Sequence, residues 1–328
     1  MKRRITAAAL ACFALGFTGA TQAADKAEAY PARPVRIVVP FPPGQTVDLV
    51  GRLIAERLTE AFGKQFIVDN RVGASGTIGS SLVARSAPDG YTMLIVSNGT
   101  LAGNTALWKQ KLPYNAVKDF QPVINYIATP QILVSNPSLP YKTVQEIVKY
   151  AKANPGKMNY ASPGVGTSSH LAMELFKTRA GVDIVHVPYQ GSPAAFTDIM
   201  SGQIPVMFEA ASGVIGHVRS GKIRVIATGG EKRAVFLPEV PTIAESGYPG
   251  YAAEPWVGLV APAGMPKAIA NKIYEEAKKP LLTAEGKAKV INMGMEPSGM
   301  GPDEFAAHIK AEIARWTKVV NDANIRLE

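Results

Sequence analysis

Cysteine is what this sequence has least of: Cys12 stands alone among 328 residues. A single thiol excludes a disulfide framework and any cysteine-built zinc site. Histidine is nearly as scarce, and the four present (His170, His186, His217, His308) have no metal-ligand spacing. Long apolar runs are missing too. The most apolar stretch, Ile5 to Ala20, is shorter than the ~20 residues a spanning helix needs, and no later stretch reaches that length. Nor is charge of one sign gathered anywhere beyond the first four residues. The net charge of +9 comes from 35 Lys+Arg against 26 Asp+Glu, interspersed as in Arg52–Glu56–Arg57–Glu60 and Lys272–Glu275–Glu276–Lys278. Such mixtures read as solvated helix faces. With no basic stripe interleaved with aromatics, nucleic acid is excluded as a partner.

What is present is ample apolar material. At 47% hydrophobic residues the chain is no disordered protein, and its length suits two domains of about 100–200 residues. Lys2, Arg3 and Arg4 precede the apolar run, which ends in Thr21-Gln22-Ala23. A basic head, a short apolar middle and small residues two apart predict a secretory signal peptide over residues 1–23. The mature chain is then exported to the periplasm, and Cys12 is lost with the leader.

From Val35 onward the chain alternates strand and helix. Val35–Val39 reads as a buried strand, Pro40–Thr46 as a loop, and Val47–Phe62 as a helix ended by Gly63. Strands at Gln65–Asp69 and Tyr91–Val96 follow, with a helix between them. The same order recurs from Lys157–Ala161, through the loop Ser162–Ser168 and helix Ser169–Arg179, to strands Asp183–Val187 and Ile204–Phe208. Two copies of this unit predict two α/β lobes, each a mainly parallel sheet flanked by helices. Lobe 1 is expected over 24–126 plus 251–328 and lobe 2 over 127–250, with crossovers near Ile124–Thr129 and Tyr248–Glu254. The tail reads as strand Trp256–Ala261, helix Lys267–Leu282, a Gly/Pro-rich stretch near Met293–Pro302, and a last helix from Pro302.

Ligands of such sheets bind beyond the carboxyl ends of the strands. The two Pro/Gly loops lie there, each before a helix whose first turn has unpaired N–H groups. That combination makes an anion site from backbone dipoles. Thr46 and Ser168 are the expected N-caps. Gly164-Val-Gly166-Thr-Ser-Ser169 lacks the third glycine of a dinucleotide fingerprint, and Gly216–Ile223 runs from helix into strand, the reverse of a P-loop. No cofactor or metal is expected. Glu209 ends a strand and should face the cleft, while Glu254 precedes one. A cleft acid would favour a ligand bearing an ammonium. Phe41, Tyr189 and Trp256 are placed to wall a flat ring.

Six ordered motifs sharpen this picture: Pro40–Gly44 with Asp48, Asn70–Gly76, Ala87–Tyr91, Asn159–His170, His186–Gly191, and Leu237–Thr242 with Glu245 and Gly247. Together they resemble the periplasmic solute receptors of tripartite tricarboxylate transporters, the Bug receptors. The resemblance implies a non-enzymatic, monomeric receptor with a type II periplasmic-binding fold, closing over a small carboxylate and serving a membrane permease. By position it assigns Phe41, Gln45 and Thr46 to a first ligand loop and Ser162, Gly166, Thr167 and Ser168 to a second. Tyr189 and Gly191 follow from the next. Gln45 stands where the family commonly has a second glycine, and Glu209 is variable, so ligand identity stays open among dicarboxylates, aromatic carboxylates and acidic amino acids. A periplasmic enzyme acting on a carboxylate, suggested by His170 beside hydroxyls, and a ligand-binding partner of a signalling receptor are the alternatives.

Overall fold

The structure is a computed structural model that describes residues 30–108, 111–322 and 325. The expected leader and Cys12 lie outside the described residues.

Two sheets form the two lobes. The first begins with β1 (Val35–Val39), β2 (Phe66–Asn70) and β3 (Thr92–Ser97), which align in the order β3-β1-β2 with parallel pairing. Helix α1 (Thr46–Phe62) joins β1 to β2, and α2 (Thr77–Ala84) joins β2 to β3. A π-turn (Gly99–Gly103) and short α3 (Asn104–Trp108) follow, then β4 (Phe120–Ala128). The chain crosses into the second lobe as β5 (Gln131–Ser135), followed by α4 (Val144–Ala153). The second unit is β6 (Met158–Ser162), α5 (Ser168–Ala180), β7 (Ile184–Pro188), α6 (Ser192–Ser201) and β8 (Val206–Ala210), aligned β8-β6-β7. Third strand, first strand, second strand: the repeat read from the sequence is a repeat of topology. Then come α7 (Ala211–Arg219) and β9 (Arg224–Thr228). The chain returns to the first sheet as β10 (Trp256–Pro262), and α8 (Lys267–Leu282), α9 (Ala284–Asn292), β11 (Glu296–Met300) and α10 (Pro302–Asp322) complete the first lobe.

Both sheets are mixed rather than mainly parallel. The six-stranded sheet runs β11-β4-β10-β3-β1-β2 and the five-stranded one β7-β6-β8-β5-β9. The antiparallel pairs involve the strands that cross between lobes, since a strand returning to a sheet enters it reversed: β10 lies antiparallel to β3, and β5 to β8. Burial alternates across each sheet as strand geometry requires. Ile37, Val39, Met93 and Ile95 join one core beneath α1 and α8, while Val38, Leu94 and Val96 join another beneath α2 and α10. A smaller cluster, Leu107, Leu171 and Trp316 among it, links α3, α5 and α10 across the lobes.

Candidate functional site

Each anion loop leaves a strand end and runs into a helix. Lobe 1's loop follows Val39 and enters α1, whose N-cap is Gln45, with extended backbone and no side-chain capping bond. Lobe 2's loop follows Ser162 and enters α5, capped by Thr167, whose Oγ1 accepts from the His170 N–H at 3.4 Å and donates to the Gly164 carbonyl at 2.7 Å. Both caps fall one residue before the expected Thr46 and Ser168. The shift has a consequence. Thr46, released from capping, places its Oγ1 2.6 Å from Ser212 Oγ on α7, a bond between lobes.

A cavity of about 60 Å³ lies between the lobes. Phe41, Gln45, Thr46 and Val47 wall it from the first loop, and Pro163 with Thr167–Ser169 from the second. The crossovers form its floor through Thr129 and Gln131 on one strand and Pro255–Val257 on the other, with Ser97, Glu209 and Ala210 filling the rest. Two of the lining residues carry a buried donor without a hydrogen-bond partner, Gln45 Nε2, which lies towards Gly191, and Trp256 Nε1. A buried polar group without a partner costs about 1–3 kcal/mol, so a rearrangement that brought either donor an acceptor would be favourable. The helix N-termini add first-turn N–H groups of the same polarity.

Glu209 is the one ionisable side chain on the cavity wall. Ser192 Oγ donates to its Oε2 at 2.5 Å and the Ala210 N–H to its Oε1 at 2.9 Å. Burial outweighs both bonds and pushes its carboxyl up to about 7.

Of the residues expected at the site, Phe41, Gln45, Thr46, Thr167, Ser168, Glu209 and Trp256 share this cavity. Ser162 and Gly166 are not on its wall. They shape the loop from behind: Ser162 Oγ sits 2.6 Å from His186 Nε2, and the Gly166 N–H donates to His170 Nδ1 at 3.1 Å. The two imidazoles stack 4.3 Å apart, and Tyr160 stacks on His186 at 4.7 Å. Burial first, and then the Lys177 charge for His170 and the His170 ring for His186, lowers them to about 4 and about 3, so both rings are neutral. Tyr189 and Gly191 line a neighbouring hollow of about 390 Å³ at the cleft mouth. There the Tyr189 hydroxyl bonds Asp198, away from the cavity. Phe41 and Trp256 therefore face the cavity without Tyr189. Trp256 is packed on edge against Phe305, with centroids 5.1 Å apart. Glu254 is exposed beside the crossover and off the cavity wall.

Sequence reasoning missed Ser97, Thr129, Gln131, Ser169 and Ser212. Ser169 lies within the motif Asn159–His170 but was not assigned to the site; Gln131, which accepts from Ser169 Oγ at 3.2 Å, carried no local signal. At the mouth, Ser75 Oγ donates to the Val165 carbonyl at 2.5 Å, a second bond between lobes. Ala74 and Ser75 hold positive φ (46° and 52°), a strained conformation for side-chain-bearing residues that presents this hydroxyl to the opposite loop. Among the described residues no group of three His, Cys, Asp or Glu is arranged to hold a metal, and no helix is long and apolar enough to cross a membrane.

A sequence model described as the tripartite tricarboxylate transporter family receptor matches residues 50–325. The protein BugT of Bordetella pertussis is 36% identical over 314 residues, covering 95% of each chain. Among solved structures, an R. palustris protein with adipate superposes with a TM-score of 0.88 at 38% identity, over 90% of this chain and 99% of that one. MatC from Rhodopseudomonas palustris, with bound malate, superposes with a TM-score of 0.83 at 31% identity, over 89% and 100%.

Proposed function

This chain belongs to the family of tripartite tricarboxylate transporter receptors, and from that premise we propose that it captures a small organic carboxylate between its lobes and delivers it to the membrane components of such a transporter. The observation that carries this reading is the cavity enclosed between two helix N-termini, with Thr46, Val47, Ser168 and Ser169 of their first turns on its wall. A carboxylate there accepts from the first-turn N–H groups of α1 and α5, with the Thr46 and Ser168 hydroxyls beside them. Structural relatives that hold adipate and malate support the ligand class.

In this reading lobe 1 comprises 24–126 plus 251–328 and lobe 2 comprises 127–250, apart from the two residues by which β4 runs past 126, with residues 1–23 the export leader to the periplasm. Ligand enters an open cleft, and closure exchanges its hydration for fixed dipoles. The bonds Thr46–Ser212 and Ser75–Val165 form only when the lobes meet, so they contribute to the closed state alone. The permease then distinguishes closed from open by the surface presented. Calorimetric titration with mono-, di- and tricarboxylates and acidic amino acids tests the reading; binding by none of them overturns it.

One observation favours a second reading. The Ser162–His186 contact at 2.6 Å pairs a hydroxyl with an imidazole, as hydrolytic nucleophiles require. Ser162 is fully buried and off the cavity wall, which weighs towards a structural role. Recovering the bound carboxylate unchanged after incubation rejects the enzyme; turnover establishes it.

A further inference from the structure

We propose that the carboxylate this receptor selects also carries an ammonium group, received by Glu209, so that its ligand is a small amino acid rather than a plain dicarboxylate. The inference rests on the receptor reading above and concerns the other end of the ligand.

Three observations carry it. First, among the described residues the cavity is lined by one ionisable side chain, an acid, and by no Lys, Arg or His. A ligand with two carboxylates would force a proton onto Glu209 or enclose three like charges without a counter-cation, whereas a zwitterion brings one charge for the donors and one for Glu209. Second, Glu209 is fixed. Ser192 Oγ and the Ala210 N–H each bond one of its oxygens, and its side chain lies along Gly213, where an added Cβ would stand 3.4 Å from Glu209 Cγ. Each oxygen keeps acceptor capacity for one more donor. Third, the rest of the lining offers donors, the first-turn N–H groups of α1 and α5 with the Thr46 and Ser168 hydroxyls, so the site is complementary to a carboxylate and an ammonium together.

Among the described residues, no neighbouring charge already pairs with Glu209. On the helices packed against β8, His170 accepts from Gly166, Glu174 pairs with Lys177, Asp198 bonds Tyr189, His217 lies against Phe196, Arg219 donates to the Asn292 carbonyl, and Arg179 lines a separate hollow against α10. Tyr160 on β6 donates to Glu174. The acid is left raised to about 7 by its burial, a state that an ammonium would reverse.

Calorimetry on the full mature chain with matched probes tests this: L-alanine against propionate, L-aspartate against succinate, L-glutamate against glutarate. We expect an amino-bearing probe to bind at least tenfold tighter than its deaminated partner. Glu209→Gln should lose that preference, weakening the amino-bearing probe at least tenfold relative to its deaminated partner. A second readout needs no variant. At pH 7, in buffers of different ionisation enthalpy, an ammonium ligand drives proton release from Glu209, whereas a dicarboxylate drives uptake. Proton uptake, equal binding within each pair, or equal loss for both partners in Glu209→Gln overturns the ammonium subsite and leaves the receptor standing. Absence of binding by every carboxylate overturns the receptor reading, and this one with it.

Discussion

Gln45 and His170 belong to opposite walls of the cleft, one lining the cavity and one behind the loop across from it. Because Gln45 Nε2 is buried without a partner, Gln45→Leu removes an unmet donor and should leave the unliganded protein's melting temperature unchanged or raised. The same substitution should weaken carboxylate binding by tenfold or more, about 1.4 kcal/mol; melts with and without ligand separate the two effects. His170 is lowered to about 4 from an ordinary 6.5. A histidine held neutral by the fold binds fewer protons folded than unfolded between those values. Its contribution, on the order of 3 kcal/mol, is complete above pH 6.5 and is lost as pH falls towards 4. His170→Asn keeps an acceptor near the Gly166 N–H and removes the titration, so its stability should fall less steeply across that window in urea melts taken at several pH values. The sequence marked His170, beside hydroxyls, as the hint of an enzyme. Its ring faces the Gly166 N–H as an acceptor, and only the stacking partner His186, sixteen positions on, explains why.

Elements were legible where punctuation and periodicity agreed. Helix α8 falls on the expected Lys267–Leu282, and the glycine after α1 closes it as read, with the Gly63 N–H donating to the Thr59 carbonyl. Strand β11 was not legible. Glu-Pro-Ser-Gly-Met has no β-branched residue and carries two strand breakers. It exists because β4 offers it an unpaired edge, with Glu296 opposite Ala128. Gly258 shows the same dependence on distant partners: a Cβ there would lie 2.5 Å from the Ile124 carbonyl oxygen and 2.7 Å from the Phe305 ring. Backbone cannot yield as a side chain can, so Gly258→Ala should cost about 3 kcal/mol. Equilibrium chemical denaturation measures it, and a loss below about 0.5 kcal/mol would mean that β10 has room its neighbours do not reveal.

At the scale of the molecule, the duplicated unit was visible because each copy carries its own loop signature. The pairing of the lobes was not, because Thr46 and Ser212 are separated by the whole second repeat and no pattern links them. Closure depends on bare backbone at this junction. Gly103, on the π-turn after β3, faces the second anion loop so closely that a Cβ would stand 2.6 Å from the Gly166 carbonyl oxygen. Gly103→Ala should therefore hold the lobes apart. Small-angle scattering should show a ligand-saturated radius of gyration close to the unliganded value, with affinity reduced at least tenfold; full compaction would sink the idea.

The cavity floor is made of the crossovers themselves, Thr129 and Gln131 on one and Pro255 and Trp256 on the other. A ligand held by the two loops rests on the pivot as well as between the jaws. In any lever loaded near its fulcrum, a displacement of a fraction of an ångström at the axis becomes a stroke several times longer at the tips. The mouth loops around Ser75 and Val165 are those tips. The difference of an atom or two between competing solutes is thereby magnified where another protein would read it.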